Sequence, residues 1–344
     1  MLHSGAMSPT PLNAWPELLR SSANRSLVRR FERGELVRIQ PGYYVERMRW
    51  ERSTAAERFI ATATAKHQHG PAVFCGESAL LLLGFPTFGP PPALTLAVSS
   101  GSRAGRGAET LVISPGTAAP SGYRHPLPQV RRHHHPAAAH SSAGEFAILD
   151  PVECLVEMLQ RAPLTRSLVV TDAVLRDVLL SRSGGSDDPR TLVIDPAAAR
   201  RAVLALPPGI RRQRATLALD RSSAGAQSPG ESVSRAIMIE AGLAAPQLQQ
   251  EHWDERGLIG YTDFSWPEIG VIGEFDGRAK YNGTFGPGAP SAEQAVWNEK
   301  QRENRLTRLG FRVIRWTWAD LYEPERLIRT LRAAGVPLAV PMAA

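Results

Sequence analysis

Between Tyr261 and Lys280 the chain reads YTDFSWPEIGVIGEFDGRAK, and this stretch carries the residue types best suited to chemistry. Asp263 falls in one strand-like run, Glu274 and Asp276 in the next, and Lys280 just beyond it. Side chains alternate faces along a strand, so Glu274 and Asp276 share a face while Phe275 points to the other. Three carboxylates on neighbouring strands form a cluster of the size that holds a divalent ion. Cleaving a phosphodiester requires neutralised charge on the scissile phosphate and a water made nucleophilic, and a bound magnesium supplies both. Magnesium takes one or two protein carboxylates and keeps waters elsewhere. Asp263 and Glu274 are therefore the expected ligands, with manganese as a substitute ion. The whole chain holds only three lysines, Lys66, Lys280 and Lys300. Two of them follow these acids, and either is placed to bring an ammonium to the site.

The elements that must position these residues follow a Gly/Ser-rich stretch, residues 221–228, expected to be a flexible linker. Ser228-Pro-Gly-Glu231 opens a helix that runs to about Ile239 and stops at Gly242. Strands are expected over Gln247–Trp253, Leu258–Trp266 and Ile269–Asp276, then a helix over Ala292–Leu309, a buried strand FRVIRWTW from Phe311, and a last helix over Glu325–Ala334. Asp263-Phe264, Glu274-Phe-Asp276-Gly277 and Gly310-Phe-Arg-Val-Ile-Arg315 stand in this order. In them the region resembles the restriction-endonuclease-like PD-(D/E)XK superfamily, and within it the Vsr-like domains. The resemblance implies an αβββαβ core, Phe275 as a further ligand through its carbonyl, and Glu231 orienting a metal-bound water. It also implies a lysine two residues after the second acid, where this chain has Asp276. Lys280 or Lys300 is expected to take that role. Trp297, Trp316 and Trp318 read as core anchors, and Arg312 and Arg315 as phosphate contacts.

The N-terminal fifty residues hold eight arginines against four glutamates, with neither aspartate nor lysine. Leu18 and Leu19 suggest a short helix, Ser26 caps a second helix bearing Arg29, Arg30 and Arg33, with Arg25 just before the cap as a further DNA contact, and Leu36–Val45 reads as a hairpin over Pro41-Gly42 that carries Arg38. This order matches a winged helix-turn-helix. The segment, with VFCGESALLLLGFP at Val73–Pro86, resembles the AbiEi family of antitoxin regulators, which implies double-stranded DNA as a partner and a cognate toxin as another.

The expected class is a multidomain α+β protein: a winged helix-turn-helix over 11–50, a mixed α/β middle domain over 51–220, the linker, and the nuclease-like domain over 229–344. In the middle, Ala93–Val98 and Glu109–Ile113 read as strands and Pro151–Gln160 and Ser167–Leu180 as helices. His133, His134 and His135 read as a solvated loop whose neighbouring side chains converge poorly on an ion. Net charge is +7, from 40 basic and 33 acidic residues, which favours a polyanionic partner. No apolar run reaches the ~18 residues of a membrane span, and no secretory signal opens the chain, so a cytoplasmic protein with no membrane partner is expected. Cys75 and Cys154 give neither a disulfide framework nor a zinc spacing. The functional expectation is magnesium-dependent cleavage of DNA; the competing one is a non-catalytic AbiEi-like regulator with a degenerate nuclease fold.

Overall fold

The computed structural model describes residues 18–20, 25–107, 110–136, 140–182, 194–277 and 292–339. Helices and strands are mixed, the strands among the described residues fall into three sheets, and the chain divides into two compact units. The first holds the described residues from Leu18 to Arg161 and from Ile194 to Leu217; the second holds Ala162 to Arg182 and everything described from Ala218 onward. This division differs from the boundaries expected at residues 50 and 220.

In the first unit, β1 (Leu19–Arg20) is a strand where a short helix was expected. Two residues suffice because Leu19 and Arg20 pair with Tyr44 and Tyr43. α1 (Arg25–Glu32) buries Leu27 and Phe31, one helical turn apart, against Leu36 and Tyr44. β2 (Leu36–Gln40) and β3 (Tyr43–Glu46) form the expected hairpin. α2 (Arg47–Arg52) places Trp50 in the core, and Thr54 and Glu57 close a capping box at the start of α3 (Ala55–His69). Val37, Ile39, Val45, Trp50, Ala61 and Ala65 share one core with Leu111 and Leu127. The hairpin and Trp50 thus share their core with residues beyond position 100.

β4 (Val73–Phe74), α4 (Gly76–Leu82), β5 (Leu94–Val98), β6 (Gly105–Gly107), β7 (Val112–Ser114), β8 (Thr117–Ala118), β9 (Val130–His134), β10 (His140–Ala143) and β11 (Phe146–Leu149) follow. They complete a sheet of order β1-β3-β2-β7-β8 and a second of order β10-β11-β4-β5-β9-β6. His133 and His134 therefore stand on a strand, not in a loop. α5 (Pro151–Leu159) begins with Asp150 accepting from the backbone N–H groups of Val152 and Glu153 at 2.9 and 3.2 Å, and it packs against α4.

α6 (Leu164–Arg182) belongs to the second unit, α7 (Pro196–Leu204) to the first, and α8 (Ile210–Arg221) leads the chain back. α9 (Pro229–Glu240) is capped by Ser228. β12 (Gln247–Asp254), β13 (Gly257–Trp266), β14 (Val271–Asp276), α10 (Ala292–Arg308), β15 (Arg312–Thr317), α11 (Trp318–Tyr322) and α12 (Pro324–Ala333) complete the unit. Its sheet runs β12-β13-β14-β15. The first two pairings are antiparallel and the third is parallel. A parallel pair needs a crossover connection, and the segment containing α10 supplies it. α9 packs on α6, where Arg235 Nη1 donates to Asp172 at 2.6 Å. Residues 221–228 are not a free linker: Ala226 is wholly buried, and the Ser223 N–H donates to Asp172 at 2.7 Å.

Candidate functional site

Four polar side chains gather beside β13. Glu231, the third residue of α9, donates its backbone N–H to the capping Ser228 hydroxyl at 3.3 Å, and that hydroxyl donates to its Oε1 at 2.7 Å. Its Oε2 accepts from the Gln227 N–H at 2.8 Å and from the Gln249 amide at 3.3 Å. The same amide nitrogen lies 3.5 Å from Asp263 Oδ1, and Asp263 Oδ2 accepts from the Phe275 N–H at 2.9 Å. Gln249 thus ties Glu231 to Asp263, and Asp263 is tied to the backbone of β14. Among the described residues Gln249 is the one non-glycine with a positive φ, 49°. Leu248 pairs with Phe264 and Gln250 with Thr262, so the kinked residue stands opposite Asp263. A conformation that costs roughly 1–3 kcal/mol persists only where its surroundings impose it.

Electrostatics bind the acids together. Burial first, and the charge of Asp263 second, push the Glu231 carboxyl up to about 7. Glu274 is also held above the usual carboxylate range: burial raises it, Arg302 and Arg315 pull it down, and Glu299 and, less strongly, Asp263 push it up. Arg302 Nη1 donates to Glu274 at 2.8 Å, and Arg315 Nε lies 3.3 Å from its other oxygen. Arg315 also pairs with Glu299 and Glu303 at 2.8 and 2.7 Å, so it is occupied by acids where a phosphate contact was expected. Arg312 donates to the Ala334 carbonyl.

Of the expected site residues, Glu231, Asp263 and Glu274 are brought into one electrostatic neighbourhood. Phe275 buries its ring edge-on to Trp318, with centroids 5.0 Å apart. The half-buried Asp276 stands opposite Thr317 on β15. Lys300 is exposed on α10, and Lys280 lies outside the described residues. Trp316 is a core anchor, 2 % exposed, whereas Trp297 is 56 % exposed and lies outside the core. Gln249 was not foreseen, because a left-handed glutamine leaves no mark in a strand pattern.

No family model matches the chain. Two curated relatives, the uncharacterized proteins MT2308 and Rv2248 of Mycobacterium tuberculosis strains CDC 1551 and H37Rv, are each 26 % identical over 178 residues. Each match covers 52 % of this chain and spans just over half, 57 %, of the relative's length. A solved structure, the RV2827C protein from Mycobacterium tuberculosis, is 16 % identical over 67 % of this chain and 76 % of that one, with a TM-score of 0.27, too low to carry an argument.

In the first unit, Arg25 and Arg29 are exposed on α1, while Arg30 pairs with Glu35 and Glu46 at 3.1 and 2.9 Å and Arg33 with Glu35 at 2.8 Å. Arg38 lies over the Phe31 ring, 5.8 Å from its centroid. Among the described residues no helix is long and apolar enough to cross a membrane. A different group of ligand-type side chains was missed: Cys75, His135 and Glu157 bring donor atoms within 4.8 Å of one another. The signal was present in the His-x-His spacing of His133 and His135, because alternation at the end of a strand puts both on one side.

Proposed function

We propose that the second unit is a divalent-metal-dependent nuclease domain acting on double-stranded DNA, which the basic α1 and hairpin of the first unit help to engage. The observation that carries this reading is the chain of contacts in which the Gln249 amide reaches both Glu231 and Asp263, and Asp263 accepts from the Phe275 N–H beside Glu274. Buried acids that repel one another are costly unless a cation shares them. The strained Gln249 and the cap at Ser228 hold two of these acids in place at that cost. Oxygen donors suit magnesium, and in this reading Asp263 and Glu274 hold the ion while Glu231 orients a metal-bound water. Glu274 fits once Arg302 yields its oxygen. Magnesium, when bound, supplies Lewis acidity and lowers the pKa of water. Arg302 donates to Glu274, and in this reading it takes the charge-stabilising part that the superfamily gives to a lysine. The order α9, β12, β13, β14, α10, β15 supports the reading.

Purified protein is expected to nick supercoiled plasmid with magnesium or manganese, to stop with EDTA, and to fall to background as Asp263→Ala. The arginines on Glu274 favour a second reading, in which the domain no longer turns over and the chain is an AbiEi-like regulator paired with a toxin. Failure to cleave with either metal, together with salt-sensitive binding to a defined promoter, selects that reading instead.

A further inference from the structure

Apart from the acids of the second unit, the first unit holds a mixed cluster of sulfur, nitrogen and oxygen donors. Glu157 lies on α5 and is only 6 % exposed. Its Oε1 accepts from Arg161 Nη1 at 2.6 Å and from His133 Nδ1. Its Oε2 is shielded from solvent, no N–H or O–H donates to it, and the Cys75 thiol faces Glu157. A shielded carboxylate oxygen without such a donor is costly, and the groups it faces are metal ligands. His135 Nε2 lies 3.6 Å away, and the Cys75 thiol completes a set whose donor atoms all fall within 4.8 Å of one another. Two nitrogen or oxygen donors bound ~2.0–2.1 Å from one tetrahedral ion stand roughly 3.3 Å apart, so little movement is required.

The surroundings are shaped for this. Gly76, next to Cys75, adopts φ +52°, and a Cβ there would stand 3.3 Å from Glu157 Oε2. Only glycine accepts both that backbone and that closeness. The Cys75 N–H donates to the Thr95 carbonyl at 3.2 Å, and the Thr95 hydroxyl donates back to the Cys75 carbonyl at 2.6 Å, which fixes the residue carrying the thiol. His135 is held by its N–H donating to Val98 at 2.9 Å. A cavity of about 670 Å³, lined by His133, His135, Glu157 and Arg161 among others, opens beside the cluster.

We propose that Cys75, His135 and Glu157 bind one zinc ion, with His133 orienting Glu157 through its other oxygen and the cavity leaving a fourth position for water or a small ligand. Thiolate, imidazole and carboxylate together suit zinc rather than magnesium. One thiolate and one carboxylate balance the dication, so the loaded site is neutral. Binding releases the Cys75 proton to solvent. Carboxylate–histidine contacts behind a metal ligand are worth about 10–100-fold in affinity.

The test uses the full chain without a histidine tag, stripped by chelator and reloaded with zinc or with cobalt(II). The expected result is one tight equivalent of metal and, with cobalt, a thiolate-to-metal charge-transfer band in the near ultraviolet. Cys75→Ser should abolish the band, Cys154→Ser should keep it, and His135→Ala should weaken binding by at least about tenfold. Asp263→Ala should leave the stoichiometry unchanged, which separates this site from the proposed nuclease centre. Absence of the cobalt band in the unaltered chain overturns the proposal whatever the variants do. So does a band that survives Cys75→Ser or is lost with Cys154→Ser.

Discussion

Two buried glutamates make opposite demands on pH. Glu231, pushed up to about 7 by burial and Asp263, keeps its proton in the folded chain at pH values where the unfolded chain has lost it. Its contribution is full below the ordinary carboxylate range and is lost as pH rises toward about 7, at up to ~1.4 kcal/mol per pH unit. Glu231→Gln should flatten that slope in thermal unfolding followed against pH. Magnesium favours the ionised acid, so it should raise the melting temperature at about pH 8 and not at about pH 5. Glu157 runs the other way. Burial raises it, but His133, Arg161 and His135 outweigh burial and hold it down at about 2. Its stabilisation is present above the ordinary range and is lost as pH falls toward about 2. Glu157→Gln should therefore blunt acid unfolding of the first unit, measured by hydrogen exchange on α5, while leaving the slope due to Glu231 intact.

At the scale of elements, α9 is positioned by steric fit and by one buried charge pair. A Cβ on Gly230 would come within 2.0 Å of the Phe275 ring, so helix and strand touch with nothing between them. Gly230→Ala must shift α9 or the ring; overpacking of this kind costs roughly 1–3 kcal/mol and displaces Glu231 beside it. Asp172, buried with Arg235 and the Ser223 N–H, locks α9 to α6. Asp172→Ala strands a guanidinium and should destabilise the second unit by about 3–5 kcal/mol in denaturant titration. Much of this unit was legible: the runs expected at Gln247 and Leu258 match β12 and β13 to within one residue, and those at Ala292 and Phe311 contain α10 and β15, because apolar alternation and glycine stops mark them. The partnership of α6 with α9 was not. Their contact joins residues about sixty positions apart, and the intervening Gly/Ser composition read as a linker although Ala226 is wholly buried. The N-terminal helix expected at Leu18 failed for a related reason, since pairing with Tyr43 and Tyr44 overrides the propensity of two leucines.

For the whole molecule the relevant quantity is charge. A net +7 gives any duplex a favourable long-range field, but residues already neutralised by acids contribute little to docking. On α1 and the hairpin that distinction is sharp. Arg30 and Arg33 are held by Glu35 and Glu46, whereas Arg25 and Arg29 are exposed. If this surface meets phosphates, Arg25 and Arg29 each release a condensed counterion, and replacing either by alanine should lower the slope of log affinity against log salt by about 0.9. Replacing Arg30 should change the slope less, because its partners must first be given up, and should instead lower stability. Fluorescence anisotropy with a labelled duplex across a salt series separates the two outcomes. Equal slope changes at all three positions would mean that the ion pairs of Arg30 open on binding. No change at any of them would move the docking surface away from α1.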